Sequence, residues 1–251
     1  MILPLLLALL ADSTLARGDS SCENTIGPVR AVAEVGSNPV VASRDVALPT
    51  TDAKVVRIEG AFGALRVEGA QSFHEVHAVG TMCTTRARFL QDLQVTVARR
   101  DSELVVVVHR PPKHSYVSER VAFGMALVVE VPNALPVVVD NMVGRLRVGG
   151  VAGLQADVAS GSVTIDSVAG DVRLPHQVGP VDVQDIEGTV SLEVQGVGDI
   201  ILEHVKGDVF VRNHRSGTIR VDDVKGAFVL GEHGQGSLEI HGVQGKVDVP
   251  R

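Results

Sequence analysis

The stretch Ser160-Gly161-Ser162-Val163-Thr164-Ile165-Asp166-Ser167-Val168-Ala169-Gly170-Asp171-Val172-Arg173-Leu174 decides how this chain folds. After each glycine, apolar and polar residues alternate, the period of a strand with one face buried. Val168 stands two residues before the next glycine, where it would plug a corner, and glycine supplies the positive φ that a tight corner needs.

Outward from this stretch the pattern repeats. One glycine series runs Gly144, Gly161, Gly179, Gly198, Gly217, Gly236, and a second runs Gly153, Gly170, Gly188, Gly207, Gly226, Gly245, with successive differences of 17, 18, 19, 19 and 19 in both. A half-turn of one strand and one corner cannot bury its apolar side alone, whereas stacked half-turns can. Val163, Val181, Ile200, Ile219 and Leu238 would form one inward ladder, and Val172, Val190, Val209, Phe228 and Val247 the facing one. The expected fold is all-β, a two-sided β-solenoid of about 17–19 residues per turn. Between Gly153 and Gly161 the apolar positions fall on Leu154, Ala156 and Val158, out of register, so a local bulge is expected there.

Three regions follow from this pattern. Residues 1–16 read as a signal peptide: a short apolar run from Ile2 to Ala11, then Thr14-Leu15-Ala16 with small residues at the cleavage-determining positions, though no basic residue precedes the run. Residues 17–143 read as an irregular first part of the solenoid, with strands at Val55-Val56-Arg57-Ile58, Ala64-Leu65-Arg66-Val67, His74 to Val79 and Leu104 to Val108. Within it, Thr84 to Leu93 has a capping threonine and apolar residues at Ala87, Leu90 and Leu93, which predicts one short capping helix. Pro111 to Arg120 reads as a loop, and residues 144–251 as the regular coils. In an exported chain the two cysteines can pair, so a Cys22–Cys83 disulfide is expected.

Composition excludes some function classes. Aromatic residues are 3% of the chain, with no Trp, which suits thin stacked strands rather than a core of large rings. The formal charge is −7, with 13 basic against 15 acidic residues before Gly144 and 10 against 15 from there on, so neither part carries the basic stripe a nucleic-acid binder needs.

The run Leu127-Val128-Val129-Glu130-Val131-Pro132, then Gly144-Arg145-Leu146-Arg147-Val148 and the recurring Ser160-Gly161-Ser162-Val163, Gly170-Asp171-Val172 and Ser216-Gly217-Thr218-Ile219, resembles the bacterial "putative adhesin" β-solenoid family of exported proteins of unknown function. The likeness covers roughly the mature chain. It implies an extracytoplasmic β-solenoid with no known catalytic residues, and "adhesin" there is a label without a demonstrated ligand.

Candidate chemistry is sparse. His176, Gln195, His214 and His233 stand three residues before glycines of the first series and read as one column of solvated corner residues. Asp166, Asp185, Glu203, Asp222 and Asp223 recur at the second corner and read as solvated charge, since acid–base work needs two carboxyls converging on a pocket. No catalytic residue, cofactor site or metal site is assigned. Outward strand positions are mostly polar, with Phe210 and Val229 as exceptions in successive coils, a candidate partner surface.

The functional expectation is a non-enzymatic, periplasmic or secreted protein that presents a rigid surface to a protein or glycan of the cell envelope, without a membrane span once the leader is removed. One alternative is a polysaccharide-modifying β-helix enzyme, for which only Arg110 to Arg120 with His114 and Tyr116 could supply a groove. Another is a self-assembling structural envelope protein. Pro250 and Arg251 beside the last strand argue against edge-to-edge stacking and for a monomer.

Overall fold

The computed structural model describes residues 15–16, 40–112, 121–194 and 196–250. Cys22, most of the expected leader and all of the Pro111 to Arg120 loop beyond Pro112 lie outside the described residues. Cys83 is fully buried.

The first part of the chain contains β1 (Leu15–Ala16), β2 (Val40–Pro49), β3 (Val55–Glu59), β4 (Phe62–Ala70), β5 (Glu75–Thr84), β6 (Gln94–Arg100), β7 (Glu103–His109) and β8 (Phe123–Pro132). The long strand β9 (Val137–Gly149) leads into β10 (Leu154–Ser160), β11 (Val163–Val168), β12 (Val172–Gln177), β13 (Val181–Ile186), β14 (Val190–Val194) and β15 (Ile200–Val205). The last strands are β16 (Val209–Ser216), β17 (Ile219–Val224), β18 (Phe228–Gln235), β19 (Leu238–His241) and β20 (Val247–Asp248). These twenty strands join one hydrogen-bonded sheet. From β9 onward every pairing is parallel, and the sheet curls into a solenoid-like body with two rows of strands.

β9 belongs to both rows. Its first half pairs with β3 and β10, its second half with β4 and β11, and the chain bends between them at Asn141, whose φ is 53°. Beyond it, one row runs Leu146, Val163, Val181, Ile200, Ile219, Leu238 as successive Cα partners, and the other runs Leu154, Val172, Val190, Val209, Phe228, Val247. Both expected inward ladders are therefore present. Nearly all of these side chains are buried, each contributing about 1.5–3 kcal/mol relative to exposure. At the end of the rows Leu238 is half-buried and Val247 exposed. Val168, Ile186, Val205 and Val224 are buried at the corner, as plugs should be. The bulge expected in Gly153 to Gly161 appears as register shifts in β10, and a similar shift recurs in β12.

The two glycine series act differently from the expectation. The first has positive φ, with Gly161 at 135°, where a Cβ would also collide with the Gly144 carbonyl oxygen. The second series does not. There glycine is needed for close approach: a Cβ on Gly188 would sit 2.5 Å from the Gly170 carbonyl carbon. The left-handed corner residue lies three positions earlier and is mostly not glycine, being Ser167, Asp185, His204 and Asp223 with φ of 50–57°. Three of these four are Asp or His, residue types that tolerate this region better than most.

Aspartates following the glycines complete the corner. The Asp171 carboxylate accepts the Thr189 N–H at 2.8 Å, Asp199 accepts that of Thr218 at 2.8 Å, and Asp208 that of Ala227 at 2.7 Å. Each satisfies a backbone donor of the following coil, so the Gly-Asp pairs are structural caps.

The N-terminal part mixes parallel and antiparallel pairing. β3 and β4 extend the two rows in parallel, but β2–β5, β5–β8 and β6–β7 are antiparallel. The expected capping helix is not formed. Only a three-residue 3₁₀ turn, Ala87–Phe89, is present, and the surrounding bonds Phe89 N–H to Arg86, Leu90 to Ala87, Asp92 to Phe89 and Leu93 to Leu90 all span three residues. Thr84 does accept the Arg86 N–H. Phe89, Leu90 and Leu93 are buried while Ala87 is exposed, so the apolar spacing belongs to tight turns, not to an α-helical face. Arg44 on β2, 9% exposed, fastens this segment by donating to the Leu90 carbonyl at 3.0 Å and to Gln94 Oε1 at 3.2 Å.

On the outer surface His77 bridges three strands, its Nδ1 3.0 Å from Glu130 and its Nε2 2.7 Å from Asp45. Its pKa is raised, chiefly by the Glu130 hydrogen bond, against a smaller lowering by burial and with further help from Asp45. Because the folded value exceeds the unfolded one, the clamp's stabilisation is complete below about pH 6.5 and is lost as pH rises through the raised value. Urea titrations should show His77→Gln destabilising more at pH 5.5 than at pH 8.5, by no more than about 1 kcal/mol given the solvent screening of this site. An equal effect at both pH values would refute the clamp.

The two corners make a separate, opposed prediction. Gly188→Ala should cost about 1–3 kcal/mol by overpacking and Gly161→Ala at least as much. Ser167→Gly should be neutral or slightly stabilising, since relief of a left-handed Ser offsets the roughly 0.5–1 kcal/mol entropy cost of glycine. Thermal or urea unfolding of the three variants reads the ordering directly.

Candidate functional site

The two residues singled out as a partner surface come together. Phe210 on β16 and Val229 on β18 are direct Cα partners, preceded in the same row by Ser191 and followed by Asp248. Phe210 is 41% exposed and Val229 half-buried. The outward direction follows from the strand period, since Val209 and Val211 on either side are buried.

Three residues further along, β16 changes parity. Val211 and His214 are both buried, so two successive residues, Arg212 and Asn213, are left outside and the strand bends. The residues paired across this bend, Asn213 with Glu232 and His214 with His233, continue the ladder into β18.

This bend corrects the expectation of a solvated histidine column at His214, while His233 is half-buried and His176 is solvated as expected. His214 is 2% exposed, and so is Gln177 at 1%, whereas His176 lies outside with its Nδ1 3.6 Å from Asp157. Gln195 lies outside the described residues. The sequence count placed His176 one residue away from the inward position, because the register shift in β12 moves that position to Gln177. Gln177 donates to the Gly161 carbonyl at 2.8 Å, and His214 Nε2 is 2.9 Å from the Gly198 carbonyl, each reaching a glycine sixteen residues back. Both satisfy a first-series corner carbonyl from inside. A histidine or glutamine shortly before a corner glycine was the available signal; its burial was not readable.

The Gly198 carbonyl can only accept, so neutral His214 carries its proton on Nε2. Its Nδ1 then accepts from His233 Nδ1 at 3.2 Å. The rings are 6° from parallel with centroids 5.3 Å apart. The two nitrogens are closer than the centroids by nearly the sum of both ring radii, so the rings meet edge to edge, as an in-plane hydrogen bond requires. His233 Nε2 is left buried and without a partner.

The acidic positions do not converge. Asp166, Gln184, Glu203, Asp222 and His241 follow one another in register along the opposite row, while Asp185 and Asp223 occupy the left-handed corner. Asp182, in the adjacent outward row, has its pKa raised by burial first and then by Glu203 and Asp166. No group of three or more acidic, His or Cys side chains among the described residues is placed to hold a metal ion. His114 and Tyr116 lie outside the described residues. No helix among them is long and apolar enough to cross a membrane.

Neither a protein-family model nor a curated protein matches this chain. Solved structures do show likeness. A "putative adhesin" from Bacteroides fragilis is 15% identical, covering 82% of this chain and 96% of that one, with a TM-score of 0.37. A "putative lipid binding protein" from Parabacteroides distasonis is 12% identical over 86% and 98% of the two chains, with a TM-score of 0.39. A "putative cell adhesion protein" from Clostridium sporogenes is 9% identical over 82% and 97%, with a TM-score of 0.31. At such scores the architecture rests on the chain's own hydrogen-bond register.

The buried corner donor makes a direct prediction. His214→Leu should cost about 1–3 kcal/mol in urea unfolding by orphaning the Gly198 carbonyl. His214→Gln, which copies Gln177, should recover most of that loss. Equal destabilisation by both variants would show that the side chain's shape, not its donor, matters.

Proposed function

We propose that the chain is a non-enzymatic β-solenoid that works outside the cytoplasm, in the periplasm or secreted, as a rigid contact surface for a protein or glycan of the cell envelope. Its coils are read as 17–19 residues long, from the partner spacings Leu146 to Val163, Val163 to Val181 and Val181 to Ile200. The observation that carries the proposal is the exposed Phe210 beside Val229 on the outer face of β16 and β18. At Phe210 and Val229 the backbone ladder continues into β14 and β20, so this face offers side chains to a partner and keeps its own shape. A large exposed ring in a row whose preceding member is Ser191 contributes nothing to the core, and aromatic residues are typical anchors of contact surfaces.

The test is photo-crosslinking in growing cells followed by fractionation. A crosslinking residue at position 210 should give adducts in the envelope fraction, and the same residue at Thr164 on the other row should give none. Adducts at neither position, or equally at both, would overturn the proposal.

A further inference from the structure

Next to Phe210, on the same two strands, the bend of β16 and β18 opens a groove of about 590 Å³. Asn213, Arg215, Glu232, His233 and Pro250 line it. Its volume lies within the usual range of small-ligand sites, about 300–1,000 Å³. The groove exists because β18 carries Gly231 and Gly234 there: a Cβ on either would collide with the carbonyl oxygen of Arg212 or Arg215. Neither of these two positions puts a side chain over the arginines.

The exposed groups are complementary to one class of ligand. Arg212 is drawn toward Glu193, 3.8 Å away, but Arg215 has no ion-pair partner among the described residues and is exposed. An unpaired guanidinium is a bidentate site for a carboxylate. Asn213 can both donate and accept, and Glu232 accepts. These acceptors suit hydroxyl donors. At roughly 3.3 Å per residue Phe210 lies about 10 Å down the strand from Asn213 and about 16 Å from Arg215, a span for an oligomer whose further ring lays its apolar face on Phe210.

We propose that this groove binds an acidic glycan, a hexuronate oligomer, with its carboxylate on Arg215, ring hydroxyls on Asn213 and Glu232, and a further ring over Phe210. The inference rests on the contact-surface reading and names its ligand class. The overall charge of −7 opposes a polyanion at long range, so binding depends on the local guanidinium. It weakens with salt.

The test is isothermal titration of the purified full chain with trigalacturonate and with a glucuronate-containing hyaluronan tetrasaccharide, against a neutral galactan trimer. Saturable binding of at least one acidic oligomer, none of the neutral trimer, and at least tenfold weakening in Arg215→Gln are expected. Arg220→Gln, an exposed arginine on the other row, should bind like the parent. Absence of acidic-oligomer binding, or equal affinity in Arg215→Gln, would overturn the assignment. If crosslinking at position 210 still yields envelope adducts in that case, the contact surface stands and only its glycan site falls.

Discussion

From β9 onward parallel backbone hydrogen bonds tie each coil to the next, and the spacing of about 4.8 Å that they impose governs corners, core and surface alike. At a corner that spacing brings backbone onto backbone. Gly188 lies so close to Gly170 that any Cβ would strike its carbonyl, and the N–H that follows at Thr189 is met by the Asp171 carboxylate. The Gly-Asp pair is one device with two parts: glycine permits the approach, and aspartate supplies the acceptor. A side chain in place of the glycine would clash, and removing the carboxylate would leave the exposed Thr189 N–H to water.

The same constraint explains why polar side chains enter an interior that is otherwise valine and leucine. At the first-series corners a glycine carbonyl faces inward, and Gln177 and His214 each donate to one. A hydrophobic side chain there would fill the space but strand the carbonyl. The edge-to-edge contact of His214 with His233 then draws two coils together at the bend, where Gly231 and Gly234 are the residues that allow it.

Much of this was legible in the sequence because a period of two within a period of 17–19 residues is a strong local signal. The ladders from Val163 to Leu238 and from Val172 to Val247 follow from counting alone. What could not be counted was parity. One extra residue in β12 carries the inward position from His176 to Gln177 and leaves His176 in solvent, whereas a bend in β16 buries His214, which spacing alone reads as solvated. The positive φ of Ser167 and Asp185 was hidden because non-glycine residues hold it. The short helix failed for a different reason: spacings of three fit a 3₁₀ turn as well as a helix face, and the bonds from Phe89 to Leu93 all span three residues. Of the candidate site, Phe210 and Val229 were visible as apolar residues at outward positions. The groove beside them was not, because it is made by missing side chains.

That last point bears on where function resides in such a scaffold. Inward and corner positions are bound by the ladder, and a change there alters stability before it alters anything else. Outward positions are nearly free, so Ser191, Phe210, Val229 and Asp248 can succeed one another in a single row without structural conflict. At the groove the two regimes meet: buried His214 bonds half-buried His233, a Cβ at Gly231 or Gly234 would collide with the backbone of the preceding coil, and Arg215 stands in the wall beside them. A surface feature is thereby anchored to an interior hydrogen bond, which gives it a fixed shape that a free outward side chain would lack. Rigidity of that kind lowers the ordering cost of binding, and it is the physical reason to place ligand contact on these two strands rather than on the charged row opposite.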